Sequence, residues 1–354
     1  MSKEGLVERL ARGGNIVIAE GYVREFERRG YLNAGAFVPE VVLEFPHLVK
    51  VMHEEFVHAG SDVVEAFAYY AHREKLRLVG REDDLEKLNR TALKIAREVA
   101  DDTGTLMAGN ICNTGLYDPD NRKTDETVME MFKEQIEWAV EGGADYIVAE
   151  TFNDYGEAML ALQAIKTFGQ GLPAVITMAA YVPDVTTDDI PFPEACRRLE
   201  EAGAAVVGLN CARGPSTMLP LIRQIRAVCQ GPIAAIPVPF RTDKDHITFQ
   251  SLRDPQTGEN LYPVDVCACM SKRSEIRTFA REAKDIGVNY IGLCCGNAPF
   301  YIREVAEEYG RTPGASKYHP DMSSSHIYNK KTATPRSLKL RAYTGIDHQS
   351  PDAI

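Results

Sequence analysis

The chain has 354 residues, 44% of them hydrophobic, enough for one large barrel or two smaller domains and too many for a disordered chain. A formal net charge of -11 with no basic stripe outside the tail argues against nucleic acid as a partner, and no apolar run approaches the ~20 residues of a membrane span. The opening MSKEGLVERLARGG lacks the apolar stretch of a signal peptide, and eight cysteines are too sparse for a disulfide framework, so a cytoplasmic protein acting on small molecules is expected.

Short apolar runs rich in β-branched residues alternate with amphipathic helical stretches. Strand one is expected at residues 15–19, followed by a helix over 39–59, and strand two at 62–68, followed by a helix over 85–103. Strands at 106–110, 145–149, 174–178 and 206–209 lead into helices over 124–142, 155–168, 193–202 and 217–229. Several helices stop at a glycine just before the next strand, as in EGGAD, EAGAA and DIGVN. Strand seven, 233–236, precedes a polar, turn-rich stretch over 241–263, which reads as a long loop above the active face, and then a helix over 274–287. Strand eight, 289–293, is followed by a helix over 301–309.

Eight such units predict an α/β fold, a closed (β/α)8 TIM barrel over residues 1–311, with an open doubly wound sheet as the alternative. Residues 312–354 are rich in Ser, Thr, Lys and Pro without an apolar period. They read as a disordered tail or as an arm packing on another subunit of a homo-oligomer, with residues 326–328 and Tyr343 apolar enough to dock.

Active sites of such barrels are built from the carboxyl ends of the strands. Strand one ends in Glu20-Gly21, strand two runs into Tyr69-Tyr70, strand three ends at Asn110 and strand four at Glu150. Strand six ends in Asn210-Cys211 and strand eight in Cys294-Cys295. Three rim cysteines offer soft thiolate ligands that favour zinc and leave a fourth position open for a substrate thiol, which would be deprotonated on binding. Cys112, Cys196 and Cys229 read as small buried hydrophobes, while Cys267 and Cys269 form a competing C-x-C pair ahead of a helix.

GLNC at 208–211 and GLCCG at 292–296 resemble the paired zinc motifs of the homocysteine S-methyltransferase family. IVIAEGYVREFERRGY, PEVVLEFPHLVKVMHEEFVHAGSDVVEAFAYYA, YIVAETF and GLCCGNAPFYIREVAEE are similar to its betaine-dependent branch, so that the likeness spans residues 5–310. The resemblance implies a barrel, Zn2+ on Cys211, Cys294 and Cys295, and transfer of a methyl group from an onium donor to homocysteine, giving methionine. It also implies that Glu150 holds the acceptor's amino group and that Glu20 and Gly21 lie in the loop gripping its other end, where backbone N–H groups can take a carboxylate. Thr151 and Asn210 join this substrate-binding set.

An onium group that cannot hydrogen-bond is recognised by aromatic faces, for which Phe37, Tyr69 and Tyr70 are the candidates. Phe37 stands where the betaine branch has tryptophan, and Tyr70 aligns with its donor-site tyrosine. The chain departs from the family at Glu20-Gly21-Tyr22 in place of Asp-Gly-Gly, at Thr151 in place of tyrosine, and at Leu293 in place of the second glycine of GGCCG. The acceptor is therefore open, as is the donor, with S-methylmethionine, a dimethylsulfonium compound or folate as alternatives. From another class, a non-catalytic barrel that binds zinc or thiols remains, and turnover distinguishes it.

Overall fold

The computed structural model describes residues 4–318, 324, 325, 327 and 334–344. The chain divides into two units, one ending at Pro313 and the other starting at Gly314. Of the expected docking residues in the tail, His326 and Tyr328 lie outside the described residues, and Tyr343 is exposed on the helix Pro335–Thr344.

The first unit is a barrel of eight parallel strands: β1 (Ile16–Ala19), β2 (Val63–Glu65), β3 (Leu106–Cys112), β4 (Tyr146–Phe152), β5 (Ala174–Met178), β6 (Val206–Asn210), β7 (Ile233–Ile236) and β8 (Tyr290–Leu293). Their spatial order is β1-β8-β7-β6-β5-β4-β3-β2. The ring closes at the β1–β2 seam, where the Asp62 N–H donates to the Val17 carbonyl at 2.7 Å and the Asp62 carboxylate accepts the Val17 N–H at 2.7 Å. An open sheet would leave β1 and β2 as distant edges, so the expected barrel holds and the open-sheet alternative does not. Asp145 repeats the device between β3 and β4, giving its N–H to the Met107 carbonyl at 2.8 Å and accepting the Met107 N–H at 2.7 Å. Arg311, past the last barrel helix, grips the Asp62 carboxylate and the Asn15 carbonyl, which ties the end of this unit to the amino-terminal face of the barrel.

Every strand residue is buried, as a parallel sheet covered on both faces requires. The pleat sorts them alternately: Ile16 and Ile18 join an inner cluster with Val148 and Ile236, whereas Val17 and Ala19 join the outer cluster with the helices. Tyr146 and Tyr290 meet inside the barrel, their hydroxyls 2.9 Å apart.

Two local expectations fail for physical reasons. The helix expected over 39–59 is two helices, Val41–Glu44 and Pro46–His58, because Phe45 precedes a proline and turns out of the helical region at φ -138° and ψ 55°. Strand two ends at Glu65 rather than at residue 68, and the chain turns there, with the Ala68 N–H bonded to the Ala66 carbonyl. Among the described residues, no helix is long and apolar enough to cross a membrane.

Candidate active site

The carboxyl ends of β6 and β8 bring three thiols together. Cys211 follows β6 in a left-handed conformation (φ 54°), with its N–H bonded to the Ile236 carbonyl at 2.9 Å. Cys294 follows β8 with its N–H bonded to the Pro237 carbonyl at 2.9 Å. The Sγ atoms of Cys211 and Cys295 are 3.8 Å apart, and those of all three cysteines lie within 4.8 Å of one another. Gly21 makes this approach possible. It has φ 82°, and a Cβ there would sit 2.4 Å from the Cys294 carbonyl carbon and oxygen and 2.6 Å from the Cys295 nitrogen. Hydrogen bonds with Cys211 and Cys295, together with burial, hold the Cys294 thiol well above its usual pKa. Hydrogen bonds with Cys211 and Cys294 hold Cys295 well below it. Such a set can hold a soft metal ion.

Beside the thiols lie three buried carboxyl groups. Glu20, Glu65 and Glu150 are 1%, 2% and 5% exposed, and carboxylate oxygens of Glu20 and Glu150 come within 4.8 Å of the Cys294 sulfur and of each other. Two asparagines hold the acids apart. Asn110 Nδ2 donates to Glu65 and to Glu150, and Asn210 Nδ2 donates to Glu150 at 2.8 Å and to Glu20 at 3.3 Å. β4 shifts register between Ala149 and Phe152, and Thr151 turns to φ 63°, where its N–H donates to Asn210 Oδ1 and its hydroxyl to Glu150 Oε2, both at 3.0 Å. Burial pushes the Glu150 carboxyl up to about 7, and burial reinforced by the Glu150 charge raises Glu20 and Glu65 well above the carboxylate range. One oxygen of Glu20 and one of Glu65 are buried without a hydrogen-bond partner. A bound cation would relieve all three.

Thiols and acids line a cavity of about 170 Å³. Glu20, Gly21, Phe37, Tyr69, Tyr70, Glu150, Thr151 and the three cysteines all border it, so nearly every residue singled out from the sequence is brought to one place. Asn210 is the exception. It is fully buried and acts behind the lining, on Glu150, Thr151 and Glu20.

Phe37 and Tyr70 sit at φ 54° and 58°, which for aromatic side chains costs of order 1–3 kcal/mol each and is a mark of sites that need a fixed geometry. The Tyr70 N–H donates to Cys112 Sγ at 3.2 Å, so Cys112, expected only to fill the core, also fixes a rim residue. Lys75 Nζ lies 4.0 Å from the centre of the Tyr70 ring and takes one of its faces. Tyr22 lines the cavity while packing edge-on against His53 and Phe67 at centroid distances of 5.1 and 5.6 Å.

The sequence reading missed Glu65, Arg24, Tyr181 and Tyr262, which also line the cavity. The long loop after β7 lies over the site, contributing Phe249, Gln250 and Tyr262, and the Phe249 N–H anchors it to the Ala212 carbonyl at 2.9 Å. Cys267 and Cys269 sit in a short turn, Val266–Cys269, and belong to no metal-competent group among the described residues. Cys196 and Cys229 are buried in the outer core.

The barrel and its thiol rim define a protein of the homocysteine S-methyltransferase family: the model described as "Homocysteine S-methyltransferase" matches residues 19–309, and the chain belongs to that family. Betaine–homocysteine S-methyltransferase 1 of Rattus norvegicus is 34% identical over 339 residues, covering 91% of this chain and 80% of that protein. S-methylmethionine–homocysteine S-methyltransferase BHMT2 of Pongo abelii is 34% identical over 335 residues, covering 92% of this chain and 87% of that protein. The metallated form of the homocysteine methyltransferase MmuM from Escherichia coli shares the fold, with a TM-score of 0.65 at 17% identity over 83% of this chain and 96% of that one.

Proposed function

We propose that the protein transfers a methyl group from a compact onium donor to the sulfur of homocysteine, giving methionine, at a zinc ion held by Cys211, Cys294 and Cys295. The observation that carries this reading is the meeting, in one cavity, of three thiols with a cluster of buried carboxyl groups. The first suits a thiol substrate through a metal and the second suits that substrate's ammonium. The fit to zinc is supported by distance. Sulfurs bound tetrahedrally at ~2.3 Å stand ~3.8 Å apart, and the Cys211 and Cys295 sulfurs are separated by 3.8 Å.

Bound there, zinc would supply the charge that deprotonates an incoming thiol and keeps its sulfur nucleophilic at neutral pH. The chain's own side chains do the rest. Glu20 and Glu150 hold the acceptor's ammonium, and Asn210, with the Thr151 hydroxyl, keeps the Glu150 carboxylate aimed at it. Phe37, Tyr69 and Tyr70 hold the onium so that one methyl points at the sulfur. A sulfur–carbon bond forms as the onium's own methyl bond breaks, and the electron pair stays with a departing neutral amine or thioether. The thiol proton goes to solvent, so no base from the chain is required.

The donor is read as betaine-like from the aromatic wall. S-methylmethionine is the second reading, since relatives named for each donor are equally similar to this chain, at 34% identity. Methionine formation from homocysteine with glycine betaine, S-methylmethionine, a dimethylsulfonium compound and a methylfolate, each alone, tests both. Turnover with the methylfolate alone would overturn the onium reading, and turnover with none of the four would leave a zinc- or thiol-binding barrel.

A further inference from the structure

The cavity is rich in acids and poor in cations. Its border includes three carboxyl groups, three thiols and several tyrosines, and among the described residues Arg24 is the one arginine, lysine or histidine on it. Both substrates of the proposed reaction, an amino-acid thiol and a betaine-type donor, carry a carboxylate, and the other ionisable groups on that border are acids, which offer it no counter-charge.

Arg24 is 4% exposed on the helix Tyr22–Arg28, three residues after the Gly21 that packs on the Cys294–Cys295 peptide. Its two terminal nitrogens donate to the Glu27 carboxylate and to the Pro263 carbonyl. The third nitrogen, Nε, is buried with no partner. A guanidinium offers five donors in a rigid fork, and a buried donor left unpaired is costly, so the unpaired Nε of a residue bordering the cavity is a donor for which an acceptor atom of the ligand would be a partner. The loop expected to cradle a carboxylate with backbone N–H groups has only one glycine here, and that glycine is committed to the close approach to β8.

We propose that Arg24 is the receptor for a substrate carboxylate, supplying by a side chain what a second glycine in the loop would supply by backbone. The inference rests on the proposed reaction for its choice of ligands. The carboxylate can belong to the acceptor or to the donor, and both offer the same chemistry to the guanidinium. Arg24 is then a specificity residue as well as a tether for the long loop at Pro263.

Dissociation constants for two matched pairs, measured on the zinc-loaded protein, separate these roles. The first pair is homocysteine and its decarboxylated analogue, and the second is glycine betaine and tetramethylammonium. Arg24→Gln should weaken the carboxylate-bearing member of one pair by roughly tenfold to a hundredfold, the worth of a charge-assisted hydrogen bond, and leave its carboxylate-free partner within about twofold. The pair that responds identifies the source of the carboxylate. Glu27→Gln, which removes the competing partner and keeps the cation, should leave that ligand's affinity unchanged or tighter. Equal weakening of both members of each pair, or the same loss in Glu27→Gln, would make Arg24 a structural tether only and overturn the proposal. A wild-type protein that binds the ligands with this selectivity but methylates no thiol would instead overturn the proposed function.

Discussion

Gly21→Ala perturbs the site without touching any side chain in it. The new Cβ would lie 2.4 Å from the Cys294 carbonyl, where ordinary contact begins at 3.4 Å, so the peptide joining Cys294 to Cys295 must retreat by about 1 Å. Metal–ligand distances tolerate ~0.2 Å, so such a shift spoils a three-sulfur site. The left-handed backbone adds ~1–2 kcal/mol and the overlap ~1–3 kcal/mol, for a total destabilisation of ~2–5 kcal/mol. We expect zinc affinity, measured by competition with a chromophoric chelator, to fall by at least roughly tenfold, together with a lower melting temperature. Gly30→Ala is the control: Gly30 has φ 78° and nothing within 4 Å of its added Cβ, so it bears the backbone cost alone and should keep its zinc. Wild-type zinc affinity and stability in Gly21→Ala would refute the reasoning that this glycine seats the cysteines.

Tyr70→Leu removes a cation–π face worth ~0.5–2 kcal/mol, so the donor KM should rise roughly threefold to thirtyfold while the acceptor KM holds, and equal changes in both would mark Tyr70 as packing. Glu150, with its carboxyl raised by burial to about 7, is mostly protonated below that pH in the empty cavity, and an ammonium binds the ionised form. Homocysteine affinity should therefore strengthen as pH rises through about 7, more steeply than that of an acceptor lacking the amino group, and Glu150→Gln should abolish the difference. Asp62→Asn weakens the β1–β2 seam and the Arg311 pair at the far face of the barrel, so a loss of ~1–3 kcal/mol in thermal stability is expected with zinc content unchanged.

The barrel was legible because each strand is buried on both faces and therefore reads as an unbroken apolar run, as in IVIA and IAAI, with a glycine or an Asp before the next unit. The cysteines were legible because Cys211, Cys294 and Cys295 stand at strand ends, where chain order converts directly into rim position. Glu65 was missed because VVEAFA reads as one strand through residue 68, and nothing in those letters marks the turn that makes Glu65 a strand end. Tyr181 and Tyr262 come from loops, whose course over the rim is set by tertiary packing and leaves no period in the sequence. Arg24 stands in the mixed-charge stretch VREFERRG, for which the sequence predicted no element, and only the packing of the helix Tyr22–Arg28 buries it. Thr151 was placed at the right strand, but the register shift that turns it behind Glu150 has no sequence signature.

The most direct test of the central claim is the zinc content of the purified protein and of Cys211→Ala, Cys294→Ala and Cys295→Ala, each checked for folding by its melting curve. Three rim thiolates with an open fourth position should hold about one zinc per wild-type chain, and each substitution should lose both the metal and methyl transfer while the barrel stays folded. Full zinc retention in two of the three folded variants would contradict the assignment.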